Sequence, residues 1–279
     1  MGKSGDMATP VLTTPDGHGL GTTERHAPRR LHRIFAPDGR AVVVAMDHAR
    51  ESGVATGLEQ PSEAVRRVVA GGVDAIMTTP GMARVVADEL GAKGLIIALD
   101  SEGPVADYGV ELALRLGADA VELKVFPGSA GETHLAELRR LVARCAEWNM
   151  PLLAEPIPVS FEEASAHTVE NIARATRLAA EAGADFVKAH YAGPVEAYAE
   201  QVIGQCFVPV IILGGPAQAD PRNALQRVAD ALAAGARGIA FGRNILQHPR
   251  PDRMAGALVE LIHGGATVDA AARHLAVPR

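Results

Sequence analysis

Eight short apolar runs, recurring at regular intervals, constrain what this chain can fold into more than any other feature. They are AVVVAMD (41–47), DAIMTT (74–79), GLIIALD (94–100), DAVELKVF (119–126), PLLAEPI (151–157), DFVKAHY (185–191), VPVIILGG (208–215) and RGIAFG (237–242). Each is rich in β-branched residues and is followed by a turn and a longer Ala/Leu/Arg/Glu stretch with helical spacing, the pattern of a βα unit. Eight such units in about 250 residues describe an α/β fold of the TIM (β/α)8 barrel type better than a doubly wound sheet. The junctions AGGVDAI, LGADAVE, AGADFVK and AGARGIA read as helix C-caps in which glycine takes the left-handed conformation, and they belong to the barrel floor and to stability.

The 279 residues and 48% hydrophobic content support a substantial core without staples. The expected organisation is a flexible N-terminal arm over 1–30, a single barrel domain over 31–263 and a C-terminal helical tail over 264–279. The arm is rich in Gly, Pro, Thr and charge and lacks sustained apolar periodicity. A net charge of -6, with both signs interspersed, gives no electrostatic case for nucleic acid or an anionic membrane as partner, so a small-molecule ligand is expected. Cys145 and Cys206 have neither CxxC nor zinc-finger spacing and read as packing thiols in a reducing compartment. No apolar run approaches the roughly 18 residues needed to cross a bilayer, and the opening residues lack the apolar centre of a signal peptide. A cytoplasmic protein is expected.

In a barrel of this type the functional groups lie at the C-terminal ends of the strands. The polar residues late in the runs are Asp47 and His48, Asp100, Glu122 and Lys124, Glu155, and Lys188 with His190. Side chains alternate along a strand and helices cover the outer face, so Glu122, Lys124, Glu155 and Lys188 are expected to share the barrel interior. Lys188 has two readings. It is an interior ion pair with Glu155 or Glu122, or it is an amine nucleophile whose pKa is lowered by burial and by crowding from Lys124. Lys124 tunes Lys188, binds a substrate oxygen or pairs with Glu122. Asp47 and His48 suit acid, base or hydrogen-bonding work, Asp47 for binding and His48 for proton transfer; the plainer alternative is a cap and a packing residue.

Gly214 and Gly215 follow the seventh run, and Gly242 and Arg243 follow the eighth, where barrels of this kind build phosphate sites from backbone N–H groups. Arg243 adds a charge-assisted contact. No HExxH or comparable spacing calls for a metal.

LHRIFAPDGRAVVVAMDH (31–48), VFPGS (125–129), the Val-Lys of the sixth run, the Gly-Gly of the seventh and FGRNILQ (241–247) together resemble one superfamily over about residues 31–273. It is the DeoC/LacD-like group of class I aldolases, which contains archaeal-type fructose-bisphosphate aldolase, aminodideoxyheptulosonate synthases and the thiolase that degrades phosphorylated autoinducer-2. The resemblance implies that Lys188 is the Schiff-base lysine, that Asp47 is the catalytic or substrate-binding aspartate, and that Gly214, Gly215, Gly242 and Arg243 bind phosphate. It also implies a catalytic tyrosine before a proline on the fifth strand, where this chain has Ile157-Pro158. Glu155, two residues earlier on the same face, or His48 is then the replacement.

TGLE (56–59) and the missing tyrosine are similar to the thiolase, which implies a role for His48 in acyl transfer to coenzyme A. Ala49 stands where the DHG motif has glycine. The expected activity is that of a metal-independent, Schiff-base-forming aldolase acting on a phosphorylated ketose or related keto-sugar, fructose-bisphosphate aldolase-like, with no cofactor beyond the imine on Lys188. The alternatives are a thiolase-like acyltransferase on a phosphorylated diketone, using coenzyme A, and a catalytically silent phosphosugar-binding protein. The family also implies a homo-oligomer.

Overall fold

The computed structural model describes residues 29–48, 53, 55–99, 103–129 and 133–275. Most of the expected arm, Asp100 and Ala49 lie outside the described residues.

Eight parallel strands close into a barrel in sequence order. They are β1 (Ala41–Ala45), β2 (Ala75–Thr78), β3 (Gly94–Ala98), β4 (Ala120–Val125), β5 (Leu152–Pro156), β6 (Phe186–Ala189), β7 (Val210–Leu213) and β8 (Gly238–Phe241). The register that closes the ring pairs Val43 of β1 with Ala240 of β8. Every strand residue is buried, as expected for strands with side chains on one face and helices on the other. Each strand is shorter than its apolar run because the last residues of the runs turn out of the ladder to form the barrel mouth.

The longer covering helices are α1 (Pro61–Ala70), α2 (Thr133–Trp148), α3 (Val169–Ala182), α4 (Pro221–Ala233) and α5 (Pro251–Ile262). Proline opens α1, α4 and α5, where its missing N–H costs nothing. Thr168 caps α3 by accepting from Asn171 N, and Asp220 caps α4 by accepting from Arg222 N.

Two layers of packing result. Between sheet and helices lie the outward residues, such as Val42, Ile76, Leu123 and Ile212. Inside the barrel, Val43, Met77, Ile96, Leu153, Phe186 and Ile211 fill the lower half. Ile34 and Phe35 plug the floor, with Phe35 edge-on to Phe186 at 5.4 Å.

The floor follows the expected junctions. Gly72, Gly117, Gly183 and Gly235 all have positive φ. At Gly183 no side chain fits in any case, since a β-carbon would lie 2.7 Å from Val142 Cγ1. The aspartates of these junctions latch neighbouring strands: Asp74 accepts from Val42 N at 2.7 Å, Asp119 from Leu95 N at 3.1 Å and Asp185 from Leu152 N at 2.8 Å. Before β8 the position is Arg237, whose backbone N–H donates to Val210 O.

Candidate active site

A cavity of about 430 Å³ opens at the C-terminal ends of the strands. Asp47, His48, Lys124, Glu155, Lys188, Gly214, Gly215, Gly242 and Arg243 all line it, so the residues expected from sequence converge on one site. A second hollow of about 200 Å³ lies across Asp47 and Lys124, beside Thr79, Leu99 and Tyr108.

The strands fix two buried ion pairs. Lys188 Nζ donates to Glu155 Oε2 at 2.8 Å, and Lys124 Nζ donates to Asp47 Oδ2 at 2.7 Å. Lys124 therefore reaches across the barrel mouth to β1 rather than two residues back to Glu122. Glu122 is fully buried and neither of its carboxyl oxygens has a hydrogen-bond partner among the described residues. Burial drives its pKa well above the usual carboxylate range, against the pull of Lys124. Desolvation of this kind favours the protonated form of a carboxyl, and Glu122 is the acid here that no lysine hydrogen-bonds, since Lys188 donates to Glu155 and Lys124 to Asp47.

The lowered pKa expected for Lys188 is not what the surroundings produce. Burial is the largest single effect and acts to lower it, but Glu155, Asp47 and Glu122 together outweigh burial and raise it, and the repulsion from Lys124 is the smallest effect. Lys124 is raised in the same way, burial again being overcome by the acids around it. At Asp47 burial works against the charge, yet Lys188 and Lys124 bring its pKa down to about 2. Lys188 with Glu155 and Lys124 with Asp47 thus stand as two buried ion pairs at the mouth.

On the opposite wall Gly214 and Gly215 present backbone to the cavity, and Asn244 braces their loop. Its Nδ2 donates to Gly214 O at 3.0 Å and Pro216 O at 3.1 Å, while its Oδ1 accepts from Gln218 N at 2.9 Å. Arg227 Nη1 donates to the same Gly214 carbonyl at 3.1 Å. The buried Nε of Arg243 has no hydrogen-bond partner among the described residues, which leaves a cation turned toward the cavity with capacity for an anion. At Gly242 a β-carbon would lie 2.0 Å from His48 Cε1, so only glycine lets the imidazole lie there.

Sequence reasoning gave no role to Asn244, although it lies inside FGRNILQ, and missed Arg227, which no motif marks; both hold loop carbonyls. It also missed the wall built by the loop after β5. There His167 stacks on His190 with ring centroids 4.0 Å apart, and Phe161 stands edge-on to His190. Burial, then His167 and Arg227, push the His190 pKa down to about 3, so this wall is uncharged at His190. His190 was already among the polar residues collected at the end of the sixth run; its stacking partner His167 and the Phe161 beside it were not. Ile157 is fully buried and aliphatic.

A family model described as DeoC/LacD family aldolase matches residues 41–248. An uncharacterized aldolase of Saccharolobus solfataricus is 34% identical over 267 residues, covering 88% of this chain and 97% of that protein. The 2-amino-4,5-dihydroxy-6-oxo-7-(phosphonooxy)heptanoate synthase of Streptomyces griseus is 37% identical over 253 residues, covering 87% and 92%. Among solved structures, an archaeal fructose-1,6-bisphosphate aldolase with its catalytic lysine bound to a carbinolamine intermediate superposes with a TM-score of 0.76 at 31% identity, covering 85% of this chain and all of that one.

Proposed function

As a member of the DeoC/LacD family of aldolases, this chain is a carbon–carbon lyase of the Schiff-base type, and we propose that Lys188 is the amine through which it works. The observation that carries this reading is the 2.8 Å contact between Lys188 and Glu155 inside the cavity that also holds Gly214, Gly242 and Arg243.

The pair supplies the protons that imine chemistry needs. Glu155 takes a proton from the Lys188 ammonium, and the freed amine attacks the ketone carbonyl. An N–H proton of the adduct moves to the new alkoxide, Glu155 returns its proton to the resulting carbinolamine hydroxyl, which leaves as water, and a cationic iminium replaces the ammonium. The site's charge is unchanged, so Glu155 and Asp47 stabilise the iminium as they stabilised the ammonium. The iminium then accepts the electron pair of the neighbouring carbon–carbon bond as an enamine. The hydroxyl on the departing carbon gives its proton to Glu155, and the enamine carbon takes it back before water releases the ketone. Asp47, anionic and held by Lys124, orients substrate hydroxyls.

The substrate class is a phosphorylated ketose or related keto-sugar. Arg243 and the glycine backbones at 214, 215 and 242 supply the phosphate cup, and the hollow beyond Asp47 leaves room for the second fragment. The products or substrates in the names of the relatives, a phosphonooxy heptanoate and fructose 1,6-bisphosphate, support this chemistry.

The test is borohydride trapping with dihydroxyacetone phosphate and with fructose 1,6-bisphosphate, followed by mass mapping. A reduced adduct on Lys188, absent in Lys188→Met, is expected. An adduct on Lys124, or turnover that requires coenzyme A without any adduct, overturns the assignment.

A further inference from the structure

We propose that His48 is a phosphate-binding residue, part of the cup formed with Gly242 and Arg243, rather than the group that moves the proton at the reacting carbon. This rests on the phosphate-cup reading above and adds to it a residue from the first strand.

His48 follows β1, and the barrel closes by pairing β1 with β8. That neighbour relation brings the end of β1 against Gly242. The Cε1–Nε2 edge of the imidazole occupies the space a β-carbon on residue 242 would take, 2.0 Å from Cε1 and 2.5 Å from Nε2. Glycine at 242 thus brings the ring onto the backbone that leads into Arg243. His48, Gly242 and Arg243 line the same cavity, and an anion resting over that backbone meets an imidazole nitrogen on one side and the Arg243 guanidinium on the other. The proton-transfer position on the amine is already taken, since Glu155 contacts Lys188 Nζ at 2.8 Å. An imidazole N–H directed at a phosphate oxygen is a charge-assisted contact.

The two roles separate on a phosphorylated and an unphosphorylated ketone. Wild type, His48→Ala, His48→Gln and Arg243→Ala are compared by borohydride trapping with dihydroxyacetone phosphate and with dihydroxyacetone, and by calorimetric titration with inorganic phosphate. Thermal melting checks that each variant is folded. In His48→Ala the half-saturating dihydroxyacetone phosphate rises about tenfold, with adduct yield at saturation kept and half-saturation for dihydroxyacetone moved by less than about twofold. His48→Gln, which keeps a donor, recovers part of the loss.

Equal loss with both ketones, seen in the trapping rate at saturation, returns His48 to proton transfer and overturns the proposal. A phosphate affinity weakened in Arg243→Ala and untouched in His48→Ala makes the ring a packing residue and overturns it too. If wild type gives no adduct yet His48→Ala still weakens inorganic phosphate, the phosphate role stands and the Schiff-base reading is the one that fails.

Discussion

The floor and the mouth of this barrel both carry buried or half-buried acids, and they satisfy them by different means. On the floor, Asp74, Asp119 and Asp185 each accept a backbone N–H from the neighbouring strand. Those donors are part of the fold and have no second proton to give. At the mouth, Asp47 and Glu155 are satisfied by two lysines, and Glu122 has no hydrogen-bond partner among the described residues. Each mouth contact can be remade by moving a proton. The same residue type is thus a strut at one end and, on the proposed mechanism, a reagent at the other, and what decides between them is whether the donor is backbone or side chain.

The sharpest break in this contrast is Glu155→Gln. It keeps the shape of the pair and removes the proton acceptor, so turnover with a phosphoketose is expected to fall by about a hundredfold or more per folded molecule in steady-state assays, and the melting temperature is expected to fall as the buried Lys188 loses its counter-ion. Asp185→Ala tests the floor. It leaves the Leu152 N–H without its acceptor at a buried position and is expected to cost about 1–3 kcal/mol in urea unfolding, while activity per folded molecule stays that of wild type. An Asp185→Ala variant as stable as the parent would show that the floor latches contribute nothing.

Glu122→Gln should be nearly silent in activity, because the amide resembles the protonated form that burial favours. A carboxyl whose folded pKa is raised costs stability once the pH passes its unfolded pKa. The glutamine variant should therefore melt no lower than wild type at neutral pH and gain on it as the pH rises. A melting temperature that drops at every pH would mean the charged form is the native one.

The smallest effect concerns His263 on the floor, which bonds Asp38 through Nδ1 at 2.8 Å and Asp74 through Nε2 at 2.9 Å. Burial opposes its charge, but the two carboxylates prevail and raise its pKa. The stabilisation is fully present below the unfolded pKa near 6.5 and is lost as the pH rises through the folded pKa. Thermal melts from pH 6 to 9 should show this decline, and His263→Gln should flatten it.

The strands were legible because β-branched runs bounded by Gly-Ala-Asp junctions leave few alternatives, and alternation alone put Lys124, Glu155 and Lys188 on the inner face. The pairing of those charges was not legible. Glu122 is two residues from Lys124 in sequence, whereas Asp47 is 77 away, and only the closed ring brings the ends of β1 and β4 within reach. The sign of the Lys188 shift failed for the same reason: the crowding cation was visible in the sequence, while the acids that raise it, Asp47 after β1, Glu122 on β4 and Glu155 on β5, are gathered from three different strands. Asn244 sits in a single helical turn, Arg243–Leu246, too short to show a period of 3.6, and the His167–His190 stack sits on irregular backbone, where no period operates.

The contact between Lys188 and Glu155 also decides how this protein meets ordinary electrophiles. A buried ammonium with its proton held by a carboxylate has no lone pair to offer, so the resting enzyme is chemically masked toward acylating reagents and stray aldehydes. Only a ligand that enters the mouth and draws the proton across the pair exposes the amine. Selectivity of covalent labelling would then come from recognition in the cup, and a reagent designed for Lys188 should carry an anionic group before it carries a more reactive warhead.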